Sequence, residues 1–247
     1  MKKRKFVIGD IHGAYRALIQ VLERAEITPD DQLIFLGDYV DGWSESVEVL
    51  DKLMELEKTH DCIFLRGNHD ELLADWLRTR KINKSWLEAG GQITVEQYEN
   101  ISFRKINLHL DFIERLKNYV IDEKNRLFVH GGFSKTSGIE NEYYEYVFYW
   151  DRTLWETALA TNPDLQPDDL RFPKRFKYFN EIFIGHTPVT RIGFTQPVKA
   201  LNVWNVDTGA AFKGPLSMME IDSKEVFQSD PVYTLYPEEN GRNSEAS

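Results

Sequence analysis

Phe6-Val7-Ile8-Gly9-Asp10-Ile11-His12-Gly13 joins a short apolar run to a glycine-flanked carboxylate and imidazole. The run is too short for a helix and apolar throughout, so it reads as a strand buried on both faces. Its polar residues fall just past the strand's C-terminal end, the edge at which ligands bind in layered α/β structures. The same arrangement recurs along the chain. Leu33-Ile34-Phe35-Leu36 leads to Gly37-Asp38-Tyr39-Val40-Asp41-Gly42, and Ile63-Phe64-Leu65 to Gly67-Asn68-His69-Asp70. Leu127-Phe128-Val129 leads to His130-Gly131-Gly132, and Ile182-Phe183-Ile184 to Gly185-His186-Thr187. One such junction is an ordinary turn. Five with complementary ligand types predict convergence on one sheet edge, where burial without a cation would be costly.

After each of the first three strands the spacing predicts a helix, over residues 15–25, from a cap at Ser44 or Ser46 through Lys58, and over 71–80, with Leu18, Ile19 and Leu22 marking the apolar face of the first. Strands separated by such helices imply right-handed crossovers and parallel neighbours. Residues 108–116 read as a further helix, and 119–122 and 127–130 as strands around a Glu-Lys-Asn turn. Residues 161–173, rich in Pro and Asp, read as a long loop near the site. Strands return at 181–184, 201–206 and 216–221. The expected fold is α/β, a mixed two-sheet β-sandwich flanked by helices. It forms a single domain over residues 1–236, and 237–247 is expected to be a polar, disordered tail.

The chain of 247 residues is long enough to bury a substantial core. Its net charge of -10 argues against general affinity for nucleic acid or anionic membrane, both of which need a basic face. Bound metal can still make one pocket positive, so a phosphorylated substrate is compatible with that charge. Cys62 is the only cysteine and sits in an apolar strand, an inert thiol by expectation. The basic start at Lys2 is followed by too short an apolar run for a signal peptide, and no run reaches membrane-spanning length. A cytoplasmic location is expected.

Carboxylate, amide and imidazole together suit two hydrolytic divalent ions. By residue type, Asp10 and His12 suit one ion, Asn68, His130 and His186 the other, and the Asp38 carboxylate can bridge both. Mn²⁺ is the expected metal, with Fe or Zn as alternatives.

At these residues the chain resembles the metallophosphoesterase (calcineurin-like) superfamily. Within it, the chain is most similar to the phosphoprotein phosphatase group and its small phage and bacterial serine/threonine phosphatases. The pattern Gly-Asp-x-His-Gly, Gly-Asp-x-Val-Asp, Gly-Asn-His and two isolated histidines carries the likeness, with Trp150-Asp151-Arg152 and Val206-Asp207-Thr208-Gly209. The resemblance implies that Asp10, His12, Asp38, Asn68, His130 and His186 are metal ligands. It implies that His69 is the general acid oriented by Asp41, and that Arg152 grips phosphate. The implied activity is phosphomonoester hydrolysis of a phosphoprotein (serine/threonine, or tyrosine) by direct attack of metal-bound hydroxide. The alternative is a symmetrical dinucleoside tetraphosphatase or other small-molecule phosphoesterase, favoured by Asp70 where protein phosphatases have glutamate. A metal-binding scaffold without chemistry is the reading from another class.

One position departs. The family has an arginine directly after the second aspartate of its second motif, where this chain has Gly42 and then Trp43. Arg66 is the expected replacement contact, against the plainer reading of a surface arginine. Trp43 is expected either to touch an apolar leaving group or to pack at the start of the next helix. Asp207 is expected to support the site or to be a turn residue, without acting as a ligand, and His60 and His109 to lie on the surface.

Overall fold

The computed structural model describes residues 3–243. Two five-stranded mixed sheets pack face to face. The first is built on β1 (Lys5–Ile8), β2 (Gln32–Phe35) and β3 (Asp61–Phe64), parallel and in register with Val7 beside Ile34 and Ile34 beside Ile63. Parallel pairing needs crossovers, which helices α1 (Tyr15–Arg24) and α2 (Ser46–Leu56) supply. After α3 (Asn68–Thr79) come the short α4 (Lys84–Trp86), a π-type turn (Leu87–Gly91), α5 (Gln92–Tyr98) and α6 (Phe103–Glu114). The second sheet begins with β4 (Tyr119–Ile121) antiparallel to β5 (Arg126–Val129). Helices α7 (Tyr146–Trp150) and α8 (Thr153–Ala160) precede β6 (Glu181–Ile184), which lies parallel to β5. β8 (Val203–Asn205) continues that parallel set, and β7 (Val198–Ala200) closes its edge antiparallel. The chain then returns to the first sheet as β9 (Ser217–Glu220), antiparallel to β1, and β10 (Val226–Gln228). The short α9 (Val232–Leu235) follows.

Alternation along each strand explains the apolar runs. Val7, Ile34, Phe128 and Phe183 point between the sheets with Met219 and Val206, while Phe6, Ile8, Leu33 and Phe35 face α1, α2, α3 and α6. Leu127, Val129, Ile182 and Ile184 face the opposite helical layer with Trp155. With both faces covered, a strand has no solvent side on which to place polar residues. Each fully buried side chain of this size contributes about 1.5–3 kcal/mol. All the parallel strands of both sheets end at one edge, and that edge carries the site.

Several expectations shift. β7 and β10 are three-residue strands without an apolar signature, and α6 begins five residues before 108, where Ser102 Oγ accepts the Lys105 N–H at 3.3 Å. His109 is not on the surface: it is fully buried inside α6, bonded to Tyr98 Oη at 2.6 Å and Asp51 at 3.1 Å. His60 is half-buried. The loop over residues 161–173 lines its own shallow depression, away from the site. The polar end, expected to be loose from 237, differs through Asn243: Ser44 N–H donates to Glu239 at 3.0 Å, and Arg242 N–H to Ala211 O at 2.8 Å. Residues 244–247 lie outside the described residues. Cys62 sits in β3, where burial pushes its thiol up to about 12.

Candidate metal centre

The turns after β1, β2, β3, β5 and β6 bring Asp10, His12, Asp38, Asn68, His130 and His186 together, all buried. His12, Asp38, Asp41 and His186 hold positive φ values of 52°, 53°, 73° and 66°. That conformation costs roughly 1–2 kcal/mol per non-glycine residue and here turns each side chain back toward the sheet edge. Glycines admit the close packing this requires. A Cβ on Gly185 would collide with Asp10 Oδ1, and one on Gly67 with the Asp38 backbone. Asp70 fastens the second and third turns together by accepting from the N–H groups of Asp38 (2.9 Å), Tyr39 (2.9 Å) and Gly67 (2.8 Å). Burial, then the Asp38 charge, pushes its carboxyl up to about 7.

Asp38 is the centre of the cluster. Its Oδ2 lies 3.4 Å from His12 Nε2 and 3.4 Å from His130 Nε2, while its Oδ1 accepts the His69 N–H at 2.9 Å. Two groups of potential metal-holding atoms result, His12–Asp38–His69 and Asp38–His130–His186, with Asp38 in both. Asn68 Oδ1 is 3.3 Å from His130 Nε2. Asp10 lies beside these groups without joining either; its carboxylate accepts the His186 N–H at 3.0 Å.

The donor chemistry fits divalent ions. A carbonyl can only accept, so His12 Nδ1 must donate to Val40 O (3.1 Å) and His130 Nδ1 to Leu36 O (2.9 Å). Both rings therefore present Nε2 to the cluster, the orientation that backbone carbonyls enforce in metal-binding histidines. His186 Nε2 is buried with no hydrogen-bond partner. The charges are also mutually opposed. Burial and Asp207 raise the Asp10 carboxyl well above the ordinary range, and burial lowers His12 to about 4. His130 goes the other way: burial opposes its charge, yet Asp38 and Asp10 hold it up to about 9. Asp207, buried and bonded to the Gly209 N–H, is pushed by burial up to about 6.

His69 Nδ1 bonds Asp41 Oδ2 at 2.6 Å, and that oxygen also accepts Trp86 Nε1–H at 2.6 Å. Nothing in the sequence singled out Trp86, which lies in a stretch without periodicity. Above the cluster is a pocket of about 200 Å³ lined by Asp38, His69, Trp150, Arg152, His186 and Arg242. Arg152 Nη1 donates to His186 O (3.0 Å) and Thr187 Oγ1 (2.8 Å), which leaves the rest of its fork for a ligand.

One expectation is corrected and one open alternative is decided. Arg66 does not reach the pocket: its guanidinium bonds Glu71 and the carbonyls of Ile113 and Glu114. Trp43 touches no leaving group, because it is fully buried, donates Nε1–H to Ala210 O at 2.7 Å and stacks on Tyr236. Packing is its role.

A sequence model of calcineurin-like phosphoesterases matches residues 4–211. A bis(5'-nucleosyl)-tetraphosphatase PrpE [asymmetrical] from Anoxybacillus flavithermus is 25% identical over 235 residues, 89% of this chain and 91% of that protein. Among solved structures, a candidate diadenosine tetraphosphatase superposes with a TM-score of 0.63 at 16% identity, covering 92% of this chain and 93% of the other. A serine/threonine phosphatase from Saccharomyces cerevisiae with similarity to human PP5 gives 0.60 at 16% identity, covering 92% and 80%. At these identities the structural likenesses speak to the fold, a two-sheet α/β sandwich in one domain.

Proposed function

This chain belongs to the calcineurin-like phosphoesterase family, and from that premise we propose that it is a metal-dependent hydrolase of dinucleoside polyphosphates. The observation that carries the hydrolase reading is Asp38, whose one oxygen stands 3.4 Å from the Nε2 atoms of both His12 and His130. Asp10, His12, Asp38, Asn68, His130 and His186 would hold two divalent cations. When bound, these would polarise a phosphoryl oxygen and acidify water.

The chain's own groups do the rest. Arg152 binds a non-bridging phosphate oxygen with the N–H groups that His186 and Thr187 leave free. His69 gives a proton from Nε2 to the departing oxygen while Asp41 fixes Nδ1 as a donor. Trp86 holds that aspartate in place. Water adds to phosphorus, the P–O bond to the leaving group breaks, and the leaving oxygen takes the His69 proton.

For the substrate, the half-exposed Trp150 ring beside His186 offers a face on which a nucleobase can stack. The relatives named as asymmetrical tetraphosphatases, similar along nearly the whole chain, support the nucleotide reading over the phosphoprotein one. They also favour cleavage to ATP and AMP over the symmetrical outcome of two ADP. The phosphoprotein reading retains one support, the His69–Asp41 pair that the resemblance to protein phosphatases implies. Turnover of diadenosine tetraphosphate, phosphopeptides and an aryl phosphate with Mn²⁺ decides between them, with nucleotide products separated by chromatography. ATP plus AMP in equal amounts is expected. Phosphopeptide turnover without nucleotide cleavage would replace the nucleotide reading.

A further inference from the structure

Arg242 brings a guanidinium into the pocket from the far end of the chain. The segment before it is fastened onto the turn that follows Asp41. Ser44 Oγ donates to Glu239 at 2.5 Å, Gly241 lies against the Trp43 ring, and Arg242 N–H donates to Ala211 O. The side chain then passes over two glycines whose backbones pair, Gly42 N–H donating to Gly90 O at 3.1 Å. A Cβ on Gly42 would stand 3.2 Å from Arg242 Cγ, and one on Gly90 2.9 Å from the same atom. Nη1 ends 3.4 Å from His12 Nε2. Among the described residues no carboxylate pairs with this guanidinium, and its Nε is buried with no hydrogen-bond partner. A partly buried cation without a directly paired carboxylate is costly, and the space it faces also holds Arg152.

We propose that Arg242 is a second phosphate-binding residue, which makes the C-terminal segment part of the substrate site. The proposal rests on the phosphoester-hydrolase reading and deepens it. An anion between Arg152 and Arg242 supplies the direct ion pair that neither guanidinium has among the described residues. Gly42 then has a reason. At its φ of 92° a side chain is strained, and any Cβ would crowd the path Arg242 takes. The open position at Gly42 thus admits a guanidinium from 200 residues away.

The test uses the full chain loaded with Mn²⁺, with inorganic phosphate as the calorimetric probe and diadenosine tetraphosphate and an aryl phosphate as substrates. Arg242→Ala is expected to raise the phosphate Kd and the KM about 10- to 100-fold, the scale of lost charge-assisted hydrogen bonds. Its metal content should stay unchanged. Arg242→Lys should fall between, keeping the charge without the fork, and Gly42→Ala should reproduce part of the loss by displacing the side chain. A phosphate Kd and KM within about twofold of the wild type in a folded, metal-loaded Arg242→Ala protein would overturn the proposal, as would loss of metal, which would make Arg242 a support for His12. If the wild type hydrolyses no phosphoester, the functional reading falls, while the phosphate titration still judges Arg242.

Discussion

Two buried histidine clusters lie among the described residues, and they are built on opposite terms. Under α2, α5 and α6, His109 bonds Tyr98 through one ring nitrogen and Asp51 through the other, and Lys105 closes the group on Asp51 at 2.5 Å. Every polar atom of that imidazole is answered from within the protein. At the sheet edge, His12 and His130 aim Nε2 at one shared carboxylate oxygen, His186 Nε2 has no partner, and Asp207 raises the Asp10 carboxyl. Equal burial therefore does not mean equal purpose. A satisfied buried histidine is a structural element, whereas an unsatisfied set facing acids has the donors that could hold a cation.

The contrast can be broken most forcefully at Asp38. Asp38→Asn should abolish metal loading and cut turnover by well over about 100-fold, since losing partners of the ligands alone costs 10- to 100-fold; metal analysis and kcat/KM check both. An active, metal-free variant would remove the distinction between the clusters. Next, His69→Asn should lower kcat by about 10²- to 10⁴-fold with metal content intact. Because His69 also stands in a potential metal-holding group with His12 and Asp38, loss of metal would reassign it as a ligand.

A smaller effect concerns pH. In the ion-free protein His130 holds a proton up to about 9. Metal must displace that proton, so below about pH 9 affinity should weaken by up to about tenfold per pH unit as pH falls. Calorimetry in buffers of different ionisation enthalpy should register proton release; a flat profile between pH 6 and 8 would contradict it. Least in catalytic terms is His109→Ala. It should cost about 2–3 kcal/mol of stability, or ~5–10 °C in Tm, by stranding Tyr98 and Asp51, while kcat and metal content stay at wild-type values. An equal loss of metal there would merge the two clusters.

The same contrast explains what could be read in advance. β1, β2, β3, β5 and β6 were legible because burial on both faces leaves a continuous apolar run, and each run ends on its polar residues. β7 and β10 carry no such run; they exist because β8 and β9 offer them an edge. His109 belongs to no motif, so only the phase of α6 reveals its burial. From Phe103 onward its phase puts Ile106, His109, Phe112 and Ile113 on one buried face. Trp86 and Arg242 lacked any local signal, since each matters only through a partner remote in the chain, Asp41 in one case and the pocket in the other.

Residue order alone determined which polar residues gather at the sheet edge, the strand that delivers each, and the layered fold, because periodicity and burial are local properties of the chain. Tertiary structure decided which guanidiniums face the pocket and which tryptophan holds Asp41. It also put Trp43 in the core. Side-chain direction in a turn depends on a backbone angle and on whatever packs against it, and neither is written within a few residues of the side chain itself.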